Sequence, residues 1–122
     1  MEQIKSIYSI LKPKSLDDII NDLNKSSQKQ KDDKLIYYSI KNDVEKVLLL
    51  LNYGANVNAK GQGGWSSLRF AAFIGHLTII SILKSYNVNI YITDNDGISD
   101  IFYIEKFLKR MDIVELLMKN KI

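Results

Sequence analysis

The 122-residue sequence predicts an all-α solenoid in which antiparallel helical pairs stack one upon the next. Three observations carry this expectation. Turn residues recur at a spacing of 33, because Gly54 returns as Asn87, Gly64 as Gly97, and Gly75 has Asn42 before it. A fixed period of that length marks a stacked-repeat architecture. Between these points apolar residues recur every three or four positions, as on one face of a helix. The helical stretches alternate with Gly- and Asx-rich segments, KGQGG at residues 60–64 and DNDG at 94–97, which turn sharply and read as projecting fingers.

In chain order, Ile4, Ile7, Tyr8 and Leu11 place a short amphipathic helix in residues 2–12, stopped by Pro13. Ser15 is suited to cap a second helix, with Asp17 and Asp18 in its first turn and Leu16, Ile19, Ile20 and Leu23 along its apolar stripe. Residues 24–33 hold no large apolar side chain and read as a solvated connector. Residues 1–33 are thus expected to form a helical N-terminal cap and connector.

A first repeat is expected at 34–60. Its inner helix carries Leu35, Tyr38 and Ser39 and turns at Asn42; its outer helix carries Val44, Val47, Leu50 and Leu51 and ends at Gly54. The second repeat, 61–94, has Ser66 as N-cap, Leu68, Ala71 and Ala72 inward, Gly75 at the turn, and Leu77, Ile79, Ile80, Ile82 and Leu83 in the outer helix. The third repeat and C-terminal cap, 95–122, start with Ser99 as cap and Ile101 and Ile104 inward. Ile113, Val114, Leu116 and Leu117 follow Ile79, Ile80, Ile82 and Leu83 at 34, which places one extra residue near 105–110.

Composition narrows the functional classes. A chain of this length with 46% apolar and 25% charged residues supports one packed domain. It has no cysteine, which excludes disulfides, thiolate metal sites and thiol nucleophiles. No 18-residue apolar run and no signal-like N-terminus are present, so a cytoplasmic protein is expected, with delivery into a host cell if the source is an intracellular microbe. The net charge of +3 is spread over both halves without a basic stripe, which speaks against nucleic acid as the partner.

The motifs GWSSLRFAAFIGHL and GANVNAK resemble the ankyrin repeat, standing where that family has G-x-T-P-L-H-x-A-A-x-x-G-H-L and G-A-D-V-N-A-K. The resemblance covers residues 34–122 in about three repeats, two of them degenerate. Ser67 and Asp100 replace the family's proline, Arg69 and Phe102 its histidine, and Lys109 and Arg110 a third Gly-His. Each departure is expected to loosen a turn or a buried hydrogen bond. Leu48 stands where Ser81 and Glu115 follow, a solvent-facing position, so the helices of residues 2–23 are expected to dock on the first repeat and cover it.

The resemblance implies a protein-binding role without catalysis, cofactor or metal. His76, the only histidine, reads as a structural turn residue, and Asp94, Asp96 and Asp100 read as a solvated finger, since a calcium loop's remaining ligands are missing. The resemblance marks Gln62, Gly63 and Trp65 on the finger, with Phe73, Ile74 and Tyr86 on the helices, as partner-facing. The matching positions are Ile40, Lys41 and Tyr53 in the first repeat, and Asn95, Asp96, Ile98, Lys106 and Phe107 in the third. Such a face can bury on the order of 800 Å² against a partner. The expected function is binding, and masking or inhibiting, another protein, as inhibitors, antitoxins and immunity proteins do, by a chain that is monomeric alone. The alternatives are a nucleic-acid adaptor or a scaffold subunit.

Overall fold

The computed structural model describes residues 15–119. The helix expected at residues 2–12 lies outside them. The described residues form seven α-helices: α1 (Leu16–Lys25), α2 (Gln28–Ile40), α3 (Val44–Asn52), α4 (Ser67–Ile74), α5 (Leu77–Ser85), α6 (Asp100–Tyr103) and α7 (Met111–Met118). A 3₁₀ turn at Gln62–Gly64 and a π-helical stretch at Ile104–Leu108 complete them. α2/α3, α4/α5 and α6–π/α7 are three stacked helical pairs. Two hairpins project between the pairs, each closed by one isolated bridge, Lys60 with Ser66 and Thr93 with Ser99.

One apolar cluster runs through the stack, including Leu35, Val47, Leu50, Leu68, Ala71, Ala72, Ile79, Ile80, Leu83, Ile104 and Ile113. Each pair buries its apolar face against its neighbours, so the core is continuous along the solenoid. Ser15, Ser66 and Ser99 cap α1, α4 and α6 through their hydroxyls. Asn42, Gly75 and Lys109 take up positive φ (59°, 95° and 54°) at the same point of the three pairs. Lys109 follows Gly75 by 34 residues, and the π-helical stretch just before it accommodates the extra residue: Arg110 N–H reaches back to Ile104 O at 3.2 Å. Insertion of one residue into an α-helix is the usual origin of such a bulge.

Two N-terminal expectations are corrected. Residues 28–33 are the first turns of α2 and not a solvated connector. Ser27 and Gln30 form a reciprocal capping box, and the side chains behind it bond to the first repeat. Gln28 Nε2 donates to Gly54 O (2.9 Å), and Asp32 Oδ1 accepts Asn56 N–H (2.7 Å). One repeat later Asn58 Oδ1 accepts Asn89 N–H at 2.7 Å. Asp32 therefore does for the first hairpin what a preceding repeat does for the second. Leu48, in turn, remains 37% exposed. α1 inserts Leu23 into the core instead, beside a crevice of about 100 Å³ lined by Ile19, Lys34, Tyr38, Lys46, Leu49 and Leu50.

Candidate functional site

The centre of the molecule is a buried charge. Arg69, on α4, is fully buried, and each of its three side-chain nitrogens is hydrogen-bonded. Its Nε donates to Asp100 Oδ1 (2.9 Å), Nη1 to Asp94 Oδ2 (2.9 Å) and Nη2 to Ile98 O (2.9 Å). Ser66 Oγ donates to Asp100 Oδ2 (2.5 Å) while accepting Arg69 N–H (3.1 Å). Asp94 Oδ1 accepts the N–H groups of Asp96 and Ile98, which closes the tip of the second hairpin.

The Ile98 N–H above all, and the guanidinium with it, hold the Asp94 carboxyl below the usual carboxylate range. Burial pushes Asp100 upward, against the pull of Ser66 and Arg69. The expectation that Arg69 and Asp100 loosen the structure is thus overturned, because each supplies the other's counter-charge. Asp94 and Asp100 are also buried, not solvated. Only at Ser67 does a departure leave a debt: among the described residues its buried hydroxyl has no hydrogen-bond partner.

The guanidinium also organises the aromatic side chains. Its central carbon lies 4.3 Å from the Tyr103 ring centroid and 5.2 Å from that of Trp65. Trp65 packs on Phe70 (5.2 Å), Tyr103 (5.2 Å) and Phe73 (5.9 Å), and Tyr103 stacks on Phe107 (5.4 Å). Trp65 is consequently half-buried, with its ring shielding the ionic cluster. Phe73 stands open beside it, 58% exposed, and Ile74 follows it on α4, also exposed.

The other residues marked from the sequence fall into separate places. Gln62 and Gly63 are exposed at the first hairpin's tip, where Gly63 O accepts Asn95 N–H (3.1 Å). Asn95 thus joins the two tips, with Asp96 exposed next to it and Ile98 half-buried below. Lys41 lies over the Tyr37 ring, Lys106 is exposed near Glu105, and Ile40 is half-buried, its carbonyl 3.1 Å from His76 Nε2. His76 therefore ties α5 to the preceding pair, and its side chain does not cap its own helix. Tyr53 and Tyr86 sit at the C-caps of α3 and α5, where the Tyr86 hydroxyl is hydrogen-bonded to Asn52 Oδ1.

What the structure brings together is the Trp65–Phe73 pair and the two hairpin tips. Sequence reasoning missed Phe70 and Tyr103, which support Trp65, and Asp94 and Asp100 as ligands of Arg69. The 33-residue register aligns Ile36, Arg69 and Phe102 but carries no sign of these contacts.

A family model for ankyrin repeats (many copies) matches residues 35–84. Over these residues the chain is similar to ankyrin repeats. The match spans the first two helical pairs, and α6 to α7 continue the same ankyrin-type solenoid to Met118. Ankyrin repeats are generally protein–protein interaction modules and are typically non-enzymatic. Among the described residues no helix is long and apolar enough to cross a membrane.

Proposed function

We propose that this ankyrin-repeat chain acts in the cytoplasm as a non-enzymatic binder that masks a surface of another protein, gripping it with the hairpin tips and the exposed side of the inner helices. The observation that carries the reading is the open apolar pair Phe73 and Ile74, consecutive on α4, with Phe73 packed on Trp65, together with the hairpin tips that Asn95 and Gly63 join. Large side chains presented on a preorganised scaffold are the usual energetic centres of protein interfaces. Lys41, at the C-cap of α2, and Lys106, in the π-helical stretch, provide a charged rim.

The test is affinity capture with the wild type beside a Phe73→Ala/Ile74→Ala variant. Both residues are exposed, so the melting temperature should stay within a few degrees while the partner is lost from the variant's eluate. Trp65→Ala is a poorer probe, because it also uncovers Arg69. Masking is checked by adding the chain to the isolated partner and following that protein's own activity. An identical set of captured proteins from wild type and variant would overturn the proposed face.

A further inference from the structure

The 33-residue register puts one aromatic ring at the same point of each inner helix: Tyr37 on α2, Phe70 on α4 and Tyr103 on α6. The three helices lie side by side with α4 in the middle, so the rings form a row across the stack. Tyr37 is exposed, and Phe70 and Tyr103 are half-buried. Trp65 rises from the first hairpin to touch both of these at 5.2 Å, Phe73 widens the middle of the row, and Phe107, stacked on Tyr103, widens its far end. Arg69 packs against Trp65 and Tyr103 from the core side, so these rings have little rotamer freedom left to lose on binding.

Helices packed side by side stand about 8–10 Å apart, which sets the step of the row. A polyproline II strand completes a turn every three residues and about 9 Å, so every third residue meets a ring. A β-strand returns a side chain to the same side about every 6.6 Å and falls out of step. An α-helix keeps its backbone hydrogen-bonding groups to itself, whereas a polyproline II backbone leaves its carbonyls free. The face carries donors for them: the Nε1 edge of Trp65 lies beside the exposed Gly63, and Tyr37 and Tyr103 bring hydroxyls.

We propose that this row is the docking groove for a partner segment in polyproline II conformation, with prolines three residues apart and a carboxylate at each end. The charges on the face select those ends. Lys41 Nζ lies 5.5 Å from the Tyr37 ring centroid, and Lys106 stands one turn beyond Tyr103 with 60% of its side chain exposed. The middle pair has Phe73 and Ile74 at these positions, so a cation flanks the apolar centre on either side. Of the neighbouring acids, Asp33 is tied to Lys29 at 2.8 Å, Glu105 lies 3.6 Å from Lys106 without covering it, and Asp96 stands on the second hairpin tip. Two steps of the row span about 16–20 Å, or about six residues of polyproline II, which sets the separation of the two carboxylates. The inference names the partner chemistry of the face that carries Phe73, and it rests on the protein-binding reading of that face.

Selection of a random-peptide phage library on the immobilised chain tests it. Enriched sequences should carry prolines at i and i+3 with Asp or Glu outside them, and the Phe73→Ala/Ile74→Ala variant should not retain them. One enriched peptide, synthesised and titrated against the emission of Trp65, the sole tryptophan, should bind at least about tenfold more weakly to Tyr37→Ala and to Lys41→Glu/Lys106→Glu. Replacing the peptide's acids with lysine should reverse the preference between the wild type and the charge variant. Circular dichroism melts verify that the variants fold, and the exposed charge variant carries the test if Tyr37→Ala does not. Enriched peptides that depend on Phe73 and Ile74 but lack the proline spacing or the acids overturn the inference and leave the binding face standing. Peptides indifferent to Phe73 and Ile74 overturn the face as well. An empty selection overturns the inference alone, since a face that grips a folded surface still captures its partner.

Discussion

At the junction of the first two helical pairs, Ile36 lies against the hairpin at Gly61, where an added Cβ would meet its Cδ1 at 3.3 Å, and the buried Ser67 hydroxyl has no partner among the described residues. One repeat on, the same three positions hold Arg69, Asp94 and Asp100, joined by two ion pairs of 2.9 Å. The backbone geometry is common to both junctions and the chemistry is opposite. An apolar junction accepts any neighbour that fills the space, whereas an ionic junction demands both carboxylates and a carbonyl from the hairpin and helix that follow. A buried charge network adds little stability over well-packed apolar groups, but breaking it is costly. The second junction therefore fixes which repeat can follow.

The strongest way to break this comparison is Arg69→Ala, which strands two buried carboxylates and should cost about 3–5 kcal/mol in urea-unfolding experiments. Copying the first junction onto the second, with Arg69→Ile, Asp94→Gly and Asp100→Ser together, should recover most of that loss. If the triple variant is no better than the single, the two junctions are not interchangeable.

A second pair of substitutions separates backbone conformation from crowding. Gly64 and Gly97 share a positive φ, near 78°, but among the described residues only Gly64 meets a close neighbour ahead of it. Gly97→Ala should lower stability by about 1 kcal/mol through its backbone alone. Gly64→Ala should cost more, about 2–3 kcal/mol, because the hairpin tips must also separate. Equal losses on thermal melting would show that the tips yield freely.

Ser66 and Ser67 sharpen the contrast at smaller scale. Ser66→Ala removes an N-cap and a hydrogen bond to Asp100 and should cost about 1–2 kcal/mol. Ser67→Ala removes a hydroxyl with no partner among the described residues and should be neutral or stabilising by up to about 1 kcal/mol. Comparing their urea midpoints at equal m-value gives the answer.

The smallest effect is in the acid limb. Asp94 is depressed in the folded state, so its stabilisation is present above its unfolded value and is lost as pH falls through the folded one. Asp100 is raised, so its folded form takes up a proton first and its contribution to stability rises as pH falls toward the unfolded value. Stability measured from neutral pH down to about 3 should therefore fall less steeply in Asp94→Asn than in the wild type, and more steeply in Asp100→Asn. The reverse ordering would reassign the two carboxylates.

Much of the stack was legible in the sequence because its determinants are local. Asn42, Gly54, Gly75 and Asn87 are residues that tolerate positive φ, and all four adopt it. Ser15, Ser66 and Ser99 cap the helices that follow them. The start of α2 was missed because its apolar stripe begins only at Leu35, leaving the Ser27–Gln30 capping box as the sole local sign of a helix.

The candidate face was legible only in part. Phe73 and Ile74 are as open as the repeat register implies, but Trp65 is drawn inward by the guanidinium beneath it. The sequence by itself determined the period, the helical pairs, their turns and the one-residue insertion, since each depends on residue types within a few positions of one another. Only the tertiary structure decided that Arg69 is a core residue and that Asp94 and Asp100 are its ligands 25 and 31 residues away. Burial of a charge is a property of a pair, and nothing local to Arg69 reveals that both partners come from the next turn of the solenoid.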